Sequence, residues 1–330
     1  MAQQANHALP PGYQLNEYLI ERQLSLGGFS IVYLAHDAQG VPVAIKEYLP
    51  NSLALRGEGA IVPTVLPENL ASFRYGLRCF FEEGRALAQL SHPNVIRVLN
   101  FFRANETVYL VMAYERGYTL QEMIQKQKAR ISESFIREVF TRLLNGLREV
   151  HAHKLLHLDL KPSNIYMRKG RMPLLIDFGA ARQTLLSDIP MLKPMYTPGF
   201  ASLEHHTKRE LLGPWSDIYS IGAAMYACLA SAAPQPADSR VEKDYLVPAS
   251  VRWLGEYSEQ LLNTIDWCLK LDHLARPQSV FALQKALAET KPSAETPTLS
   301  AAEAPSSTLE LPKEPWLNQL ISKFKKSERQ

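Results

Sequence analysis

The chain has 330 residues, 46% of them hydrophobic, enough to bury a large core in one big domain or two medium ones. Its net charge of +3 is too slight to indicate a nucleic-acid or membrane partner from composition, and no nucleic-acid partner is expected. The three cysteines, Cys79, Cys228 and Cys268, form no CxxC pair, which argues against a zinc site or a disulfide framework and fits a reducing, cytoplasmic setting.

At the N-terminus, MAQQANHALPPGYQL lacks both a basic region and an apolar one, so no secretory signal is read there and residues 1–14 form an extension. From Tyr18 to Glu47, three β-branched and aromatic runs are broken by turn signals at 26–28 and 37–40, which predicts a three-strand antiparallel meander. Residues 73–90 carry Leu77, Phe80, Phe81, Ala86, Leu87 and Leu90 near helical spacing, and SHPN stops that helix. Two more strands are expected at 95–103 and 107–114, giving a small sheet with one main helix.

After Gly117 the pattern turns helical. Ser132 can cap a helix whose apolar stripe runs from Ile136 to Val150. Further helices fit 216–231, 258–270 and 277–289, and short strands fit 164–168 and 173–177. The apolar run Ile218–Ala233 falls short of the roughly 18 residues of a membrane span and reads as a buried core helix. Beyond Lys291 the composition shifts to Pro, Ser, Thr, Ala and Glu, so 290–313 reads as a disordered linker. Residues 314–330 would place Trp316, Leu317, Leu320, Ile321 and Phe324 on one face of a basic amphipathic helix, suited to a membrane surface or a partner protein, or to folding back on the domain.

Four motifs carry chemistry. The run Ser25-Leu26-Gly27-Gly28-Phe29-Ser30-Ile31-Val32-Tyr33 lies at a strand–turn–strand junction, where small residues let backbone N–H groups approach polyphosphate oxygens, although two glycines at a hairpin equally suit a plain turn. Val43-Ala44-Ile45-Lys46 sets an ammonium in an apolar strand, where it needs an anion. Glu83 on the expected helix is the natural partner, with adjacent Glu82 the competing choice. His157-Leu158-Asp159-Leu160-Lys161-Pro162-Ser163-Asn164 gathers a carboxylate that can orient a hydroxyl, an ammonium that can neutralise a moving phosphoryl group and an amide oxygen that can bind a hard cation. Asp177-Phe178-Gly179 follows, with a second carboxylate suited to a metal.

In this order and spacing, the motifs make residues 15–288 resemble the eukaryotic-type (Hanks-type) serine/threonine protein kinases of bacteria. The resemblance also rests on Thr197-Pro198-Gly199-Phe200-Ala201-Ser202-Leu203-Glu204, on Trp215-Ser216-Asp217-Ile218-Tyr219-Ser220-Ile221-Gly222 and on Ala275-Arg276-Pro277. It implies an α+β, bilobal protein kinase-like fold over 15–289, with a sheet-based N-lobe to about 113 and a larger, mostly helical C-lobe from about 118. It implies ATP with Mg²⁺, or Mn²⁺ as an alternative, and protein substrates that accept on Ser or Thr, including the chain itself.

Residue by residue, the resemblance implies catalytic roles for Asp159, Lys161, Asn164, Lys46, Glu83 and Thr197, with metal held by Asn164 and Asp177. Phosphates would lie against Leu24, Ser25, Gly27, Gly28, Phe29 and Ser30. Adenine would be covered by Val32 and Ala44, gated by Met112, bonded by the backbone of Ala113 and Glu115, and floored by Tyr166. A Glu204–Arg276 ion pair and an Asp217 bond to the catalytic-loop backbone are implied as structural features.

Several residues depart from the family pattern. Ser25 and Ser30 replace loop glycines, Leu158 replaces the arginine before the catalytic aspartate, and Leu49–Glu68 reads as a loop insertion with a regulatory role. Two other readings compete: a pseudokinase scaffold that binds ATP or a partner without transfer, and a small-molecule kinase. Intact Lys46, Asp159, Asn164 and Asp177 oppose the first, while Thr197-Pro198-Gly199, Glu204 and Arg276 oppose the second.

Overall fold

The structure is a computed structural model and describes residues 6–126, 130–178 and 197–288. An antiparallel sheet comes first, built from β1 (Gln14–Leu15), β2 (Tyr18–Leu26), β3 (Ser30–His36) and β4 (Pro42–Tyr48), continued by β8 (Thr107–Ala113) and β7 (Val98–Ala104) in the order β1-β2-β3-β4-β8-β7. The expected meander is β2–β4. Between β4 and the first helix, β5 (Ala54–Leu55) and β6 (Thr64–Val65) form a small hairpin. The segment expected to be a plain loop therefore has structure of its own, and Leu49, Pro50, Ala54 and Arg56 are buried in it.

Helix α1 (Leu70–Leu87) packs under the sheet through Phe73, Phe80 and Leu87. It begins and ends three residues earlier than its apolar stripe predicts. A 3₁₀ turn at Pro67–Asn69 starts it, and Leu90, though buried, lies in a turn with its N–H bonded to the Leu87 carbonyl at 3.0 Å.

The C-lobe follows with β9 (Tyr118–Thr119), α2 (Leu120–Lys126) and α3 (Glu133–Ala152), then β10 (Ile165–Arg168) and β11 (Met172–Leu175). After these come α4 (Leu203–His206), α5 (Pro214–Ala230), α6 (Ala237–Glu242), α7 (Ala249–Arg252), α8 (Glu259–Cys268) and α9 (Val280–Ala288). Ser132 caps α3, its hydroxyl accepting from the Phe135 N–H at 3.3 Å. In α5 every residue from Ser216 to Leu229 is buried, as the all-round apolar sequence requires of a core helix. A Cβ on Gly222 would lie 2.4 Å from the Cys268 Cβ, so glycine is what lets α5 and α8 pack this closely. Among the described residues no helix is long and apolar enough to cross a membrane.

One backbone bridge ties the lobes near the cleft. Ile96 N–H donates to the Leu175 carbonyl and Leu175 N–H to the Asn94 carbonyl, both at 2.9 Å, while the Asn94 amide holds the Pro173 carbonyl at 2.7 Å. The strand leading to Asp177 is thereby anchored to the strand leading into β7. The expected linker at 290–313 and amphipathic helix at 314–330 lie outside the described residues.

Candidate active site

Strand alternation sorts the sheet residues into two faces. Lys46 pairs across the sheet with Val32 and Leu110, and Ala44 pairs with Met112, so Val32, Ala44, Lys46 and Met112 share the cleft side of the sheet. Glu47 is turned to the opposite side. Lys46 forms an ion pair with Asp177, Nζ to Oδ1 at 2.5 Å, and its ammonium lies 5.7 Å from the Phe80 ring on α1. Glu83 lies one turn beyond Phe80 on the same helix and is buried.

The catalytic-loop residues converge on one carboxylate. Lys161 Nζ lies 2.8 Å from Asp159 Oδ2 and 2.7 Å from Thr197 Oγ1, and the Thr197 hydroxyl donates to Asp159 Oδ1 at 3.1 Å. Asn164 Nδ2 donates to the Asp159 carbonyl at 2.9 Å and to its Oδ2 at 3.0 Å. Both oxygens of Asp159 are thus oriented before any substrate arrives.

Buried groups behind this cluster fix its backbone. Asp217, wholly buried at the start of α5, accepts from the N–H groups of His157 at 2.9 Å and Leu158 at 2.8 Å, and its Oδ2 lies 2.8 Å from His151 Nε2. Burial disfavours the Asp217 charge, but these donors, His151 foremost, hold its carboxyl below the usual range. The anchoring keeps Leu158 at φ 60°, a left-handed conformation that costs a leucine energy and survives where surrounding bonds over-determine it. Asp177 also has φ 60°.

Desolvation pushes the His157 pKa down, so its ring is neutral at pH 7. Its Nε2 lies 3.2 Å from the Ile176 carbonyl and its ring 4.3 Å from that of Phe178, which joins the catalytic loop to the segment carrying Asp177. Sequence reasoning missed His151. Its position on the last turn of α3, six residues before His157, was the available signal.

The residues expected to meet a nucleotide are spread over the cleft. Ala113 N–H is engaged by the Arg97 carbonyl at 3.0 Å. Tyr166 on β10 donates its hydroxyl to the Glu115 carbonyl at 3.3 Å, which ties its ring to the segment joining the lobes. The Glu115 side chain is paired with Arg168 at 3.0 Å. Leu24 and Ser25 at the end of β2 and Gly27, Gly28 and Phe29 in the turn that follows are exposed, and Ser30, the first residue of β3, is half-buried. A Cβ on Gly28 would meet nothing within 4 Å, so no protein contact demands glycine there and the space beside it is open.

The donor set suits a hard divalent cation. Asp177 and Asn164 offer oxygen ligands, the Asp177 side chain is 43% exposed to the cleft, and Lys46 occupies only Oδ1. The surrounding protein disfavours charge on Asp177, but the Lys46 ammonium outweighs this and holds the carboxyl well below its usual range, keeping it ionised.

The sequence profile of the protein kinase domain matches residues 18–288. The chain belongs to the protein kinase domain family. Among curated proteins, the chain is 30% identical over 286 residues to serine/threonine-protein kinase C of Synechocystis, covering 82% of this chain and 49% of that protein. Similarity to the probable serine/threonine-protein kinase PknB of Lactococcus lactis is 26% over 230 residues, 68% of this chain and 33% of that one. The chain thus spans a third to a half of the length of these curated relatives. Among solved structures, the apo form of PpkA-294 aligns with a TM-score of 0.75 at 33% identity, over 85% of this chain and 99% of that one. The kinase domain of Mycobacterium tuberculosis PknI, at 18% identity and a TM-score of 0.65, shares the fold.

Two structural features implied by the resemblance are present. Arg276 forms a bidentate pair with Glu204 at 2.7 and 3.1 Å, and Asp217 bonds the catalytic-loop backbone. A further buried ion pair, Glu47–Arg56 on the outer face of the sheet, was not foreseen.

Proposed function

We propose that the chain is a serine/threonine protein kinase that transfers the γ-phosphoryl group of ATP to protein hydroxyls, its own included. The observation that carries this reading is the cluster of Lys161, Asn164 and Thr197 around Asp159. Asp159 accepts a hydrogen bond from the substrate hydroxyl and aims its oxygen at the γ-phosphorus, and the proton passes to the carboxylate as the new O–P bond forms. The bond from the γ-phosphorus to the bridging oxygen breaks and ADP leaves. Lys161 stabilises charge on the transferring group, and Lys46 binds the phosphates.

Asn164 and Asp177 are the residues that would hold Mg²⁺, or Mn²⁺, which supplies Lewis-acid neutralisation of phosphate charge when bound. A pseudokinase reading is disfavoured because none of the charged or amide groups needed for transfer is replaced. Phosphoamino-acid analysis of a generic basic protein incubated with the chain and labelled ATP tests the acceptor class. Label on Ser and Thr is expected, and label confined to Tyr would overturn it.

Control follows from Leu158. The side chain at this position is apolar and buried, so no fixed catalytic-loop arginine can order a phosphorylated activation segment. Thr184, Ser187 and Tyr196 lie outside the described residues, as do Arg182 and Lys193, and Thr197 is engaged with Asp159 and Lys161. Basal activity is therefore expected to be independent of activation-segment phosphorylation, with autophosphorylation mainly at Thr296, Thr298, Ser306, Ser307 or Thr308. A Thr184→Ala, Ser187→Ala double variant, assayed on an exogenous substrate after phosphatase treatment, should keep its rate. A loss of more than about tenfold, equivalent to about 1.4 kcal/mol of barrier, refutes the idea.

As a basic amphipathic helix, the tail at 314–330 would suit peripheral attachment to a membrane surface or to a partner protein. Vesicle co-sedimentation of the full chain should exceed that of a truncation after Lys291, and equal behaviour would rule out the membrane role.

A further inference from the structure

The outer face of the sheet carries a buried polar network that the catalytic reading does not use. Glu47, next to Lys46 on β4 but turned to the opposite side, is 0% exposed. Its carboxylate accepts from Arg56 Nη1 at 2.6 Å and Nη2 at 2.7 Å, from the Tyr33 hydroxyl at 2.6 Å and from the Tyr109 hydroxyl at 2.8 Å. Arg56 comes from the insertion after β4. Its remaining donors reach the His7 carbonyl, the Ile61 carbonyl and the Tyr33 hydroxyl, so all five are used.

The N-terminal segment locks onto the same insertion. Asn6 is 3% exposed, and its Oδ1 accepts from the Arg56 N–H at 2.6 Å. Its Nδ2 donates to Asn51 Oδ1 at 2.7 Å and reaches the carbonyls of Leu49 and Ala54 at 3.3 and 3.2 Å. The His7 N–H bonds the Arg56 carbonyl at 3.0 Å.

From this locked segment two backbone bonds run to the glycine turn. Asn51 N–H donates to the Gly28 carbonyl at 2.9 Å and Leu49 N–H to the Phe29 carbonyl at 3.0 Å. No peptide bond in the described chain is cis. In a trans peptide the N–H points opposite to the carbonyl, so anchoring these two carbonyls turns the N–H groups of Phe29 and Ser30 away from the insertion. Those are the donors a turn of this kind offers to phosphate oxygens.

We propose that residues 6–9 and 49–56 form a brace that presets the phosphate-binding turn, with Asn6, Asn51 and Arg56 as positioning residues for the nucleotide phosphates. The proposal rests on the nucleotide-binding reading of the cleft. Without the brace the turn must be ordered by the nucleotide itself, and that ordering cost is taken from phosphate affinity.

The test compares ADP with adenosine, because only ADP carries phosphates for the turn to hold. In the full-length chain, Asn6→Ala and Asn51→Ala are each expected to weaken ADP binding at least fivefold by calorimetry, leaving adenosine affinity unchanged. Asn51→Asp keeps an oxygen to accept from Asn6 and should restore ADP affinity. Amide hydrogen exchange over residues 26–30 should rise in the alanine variants, a readout that stands even where a variant binds poorly. Unchanged ADP affinity and exchange would overturn the brace. So would an equal loss for ADP and adenosine, which marks a merely structural role. A wild type that binds neither compound would instead refute the nucleotide-binding reading, and the brace with it.

Discussion

Replacing Lys46 with methionine is expected to slow phosphoryl transfer by about 10³-fold, roughly 4 kcal/mol of barrier, while moving the melting temperature by no more than about 2 °C. The ammonium sits 2.5 Å from Asp177 on the cleft side of the sheet, and in the proposed reaction it binds the phosphates. Methionine keeps most of the apolar stem and its packing beside Phe80, so the change removes charge rather than volume. The Asp177 side chain left behind is 43% exposed, so water offsets part of the lost pairing. Asp177→Asn should remove transfer equally, because an amide supplies no charge for a divalent cation. Initial rates and thermal melts of the two variants check this, and a rate above about one tenth of wild type in either would contradict the roles given to both residues.

Arg276→Met is expected to act on stability instead. Arg276 is fully buried, and its five donors reach the Glu204 carboxylate and the carbonyls of Lys270, Leu271 and Trp215. Glu204 also accepts from the Ser216 hydroxyl at 2.8 Å. Removing the guanidinium strands a buried carboxylate, a change that costs about 3–5 kcal/mol and should lower the melting temperature by roughly 10 °C. The pair ties α4 to α5 and to the loop after α8, so the loss should spread through the C-lobe.

The pH dependence of that loss has a definite sign. Burial disfavours the Glu204 charge, but the Arg276 hydrogen bonds and charge prevail and hold its carboxyl below the usual range. A depressed folded-state pKa contributes stability that is complete above the unfolded value, about 4.5, and is lost as pH falls through the folded value. In the variant, the stranded carboxylate gains by protonation. The gap in denaturant stability between wild type and Arg276→Met should therefore be widest near pH 7 and narrow toward pH 4. A gap that widens on acidification would contradict this account.

Much of the site was legible because its chemistry is local in sequence. Asp159, Lys161 and Asn164 fall within six residues, and alternation in β4 alone says that Ala44 and Lys46 share a face. The long helices were legible for the same reason, since their apolar stripes are continuous. The brace was not. The same alternation places Glu47 on the face opposite Lys46, which signals a buried acid in need of a cation, but nothing local names Arg56 or Asn6 as the groups that reach it. The β5–β6 hairpin was hidden because two-residue strands carry no period. Likewise α4, α6 and α7 are too short for a stripe to be read. Helix α1 was misplaced by one turn because its start is set by Pro67 and a 3₁₀ turn, and Leu70 at its first position is exposed, outside the buried stripe that begins at Phe73.

The claim that this chain transfers phosphoryl groups, rather than only binding nucleotide on a kinase fold, is tested most directly by following label from γ-labelled ATP into an added protein alongside ADP binding. The full-length wild type and Asp159→Asn are compared. The substitution keeps the side chain's size and leaves Lys46, Asn164 and Asp177 in place, so both proteins should bind ADP with similar affinity. Wild type should incorporate label on Ser and Thr, and Asp159→Asn should do so about 10³-fold more slowly, the worth of a positioned general base. A wild type that binds ADP but incorporates no label, or an Asp159→Asn variant that matches its rate, would contradict the account.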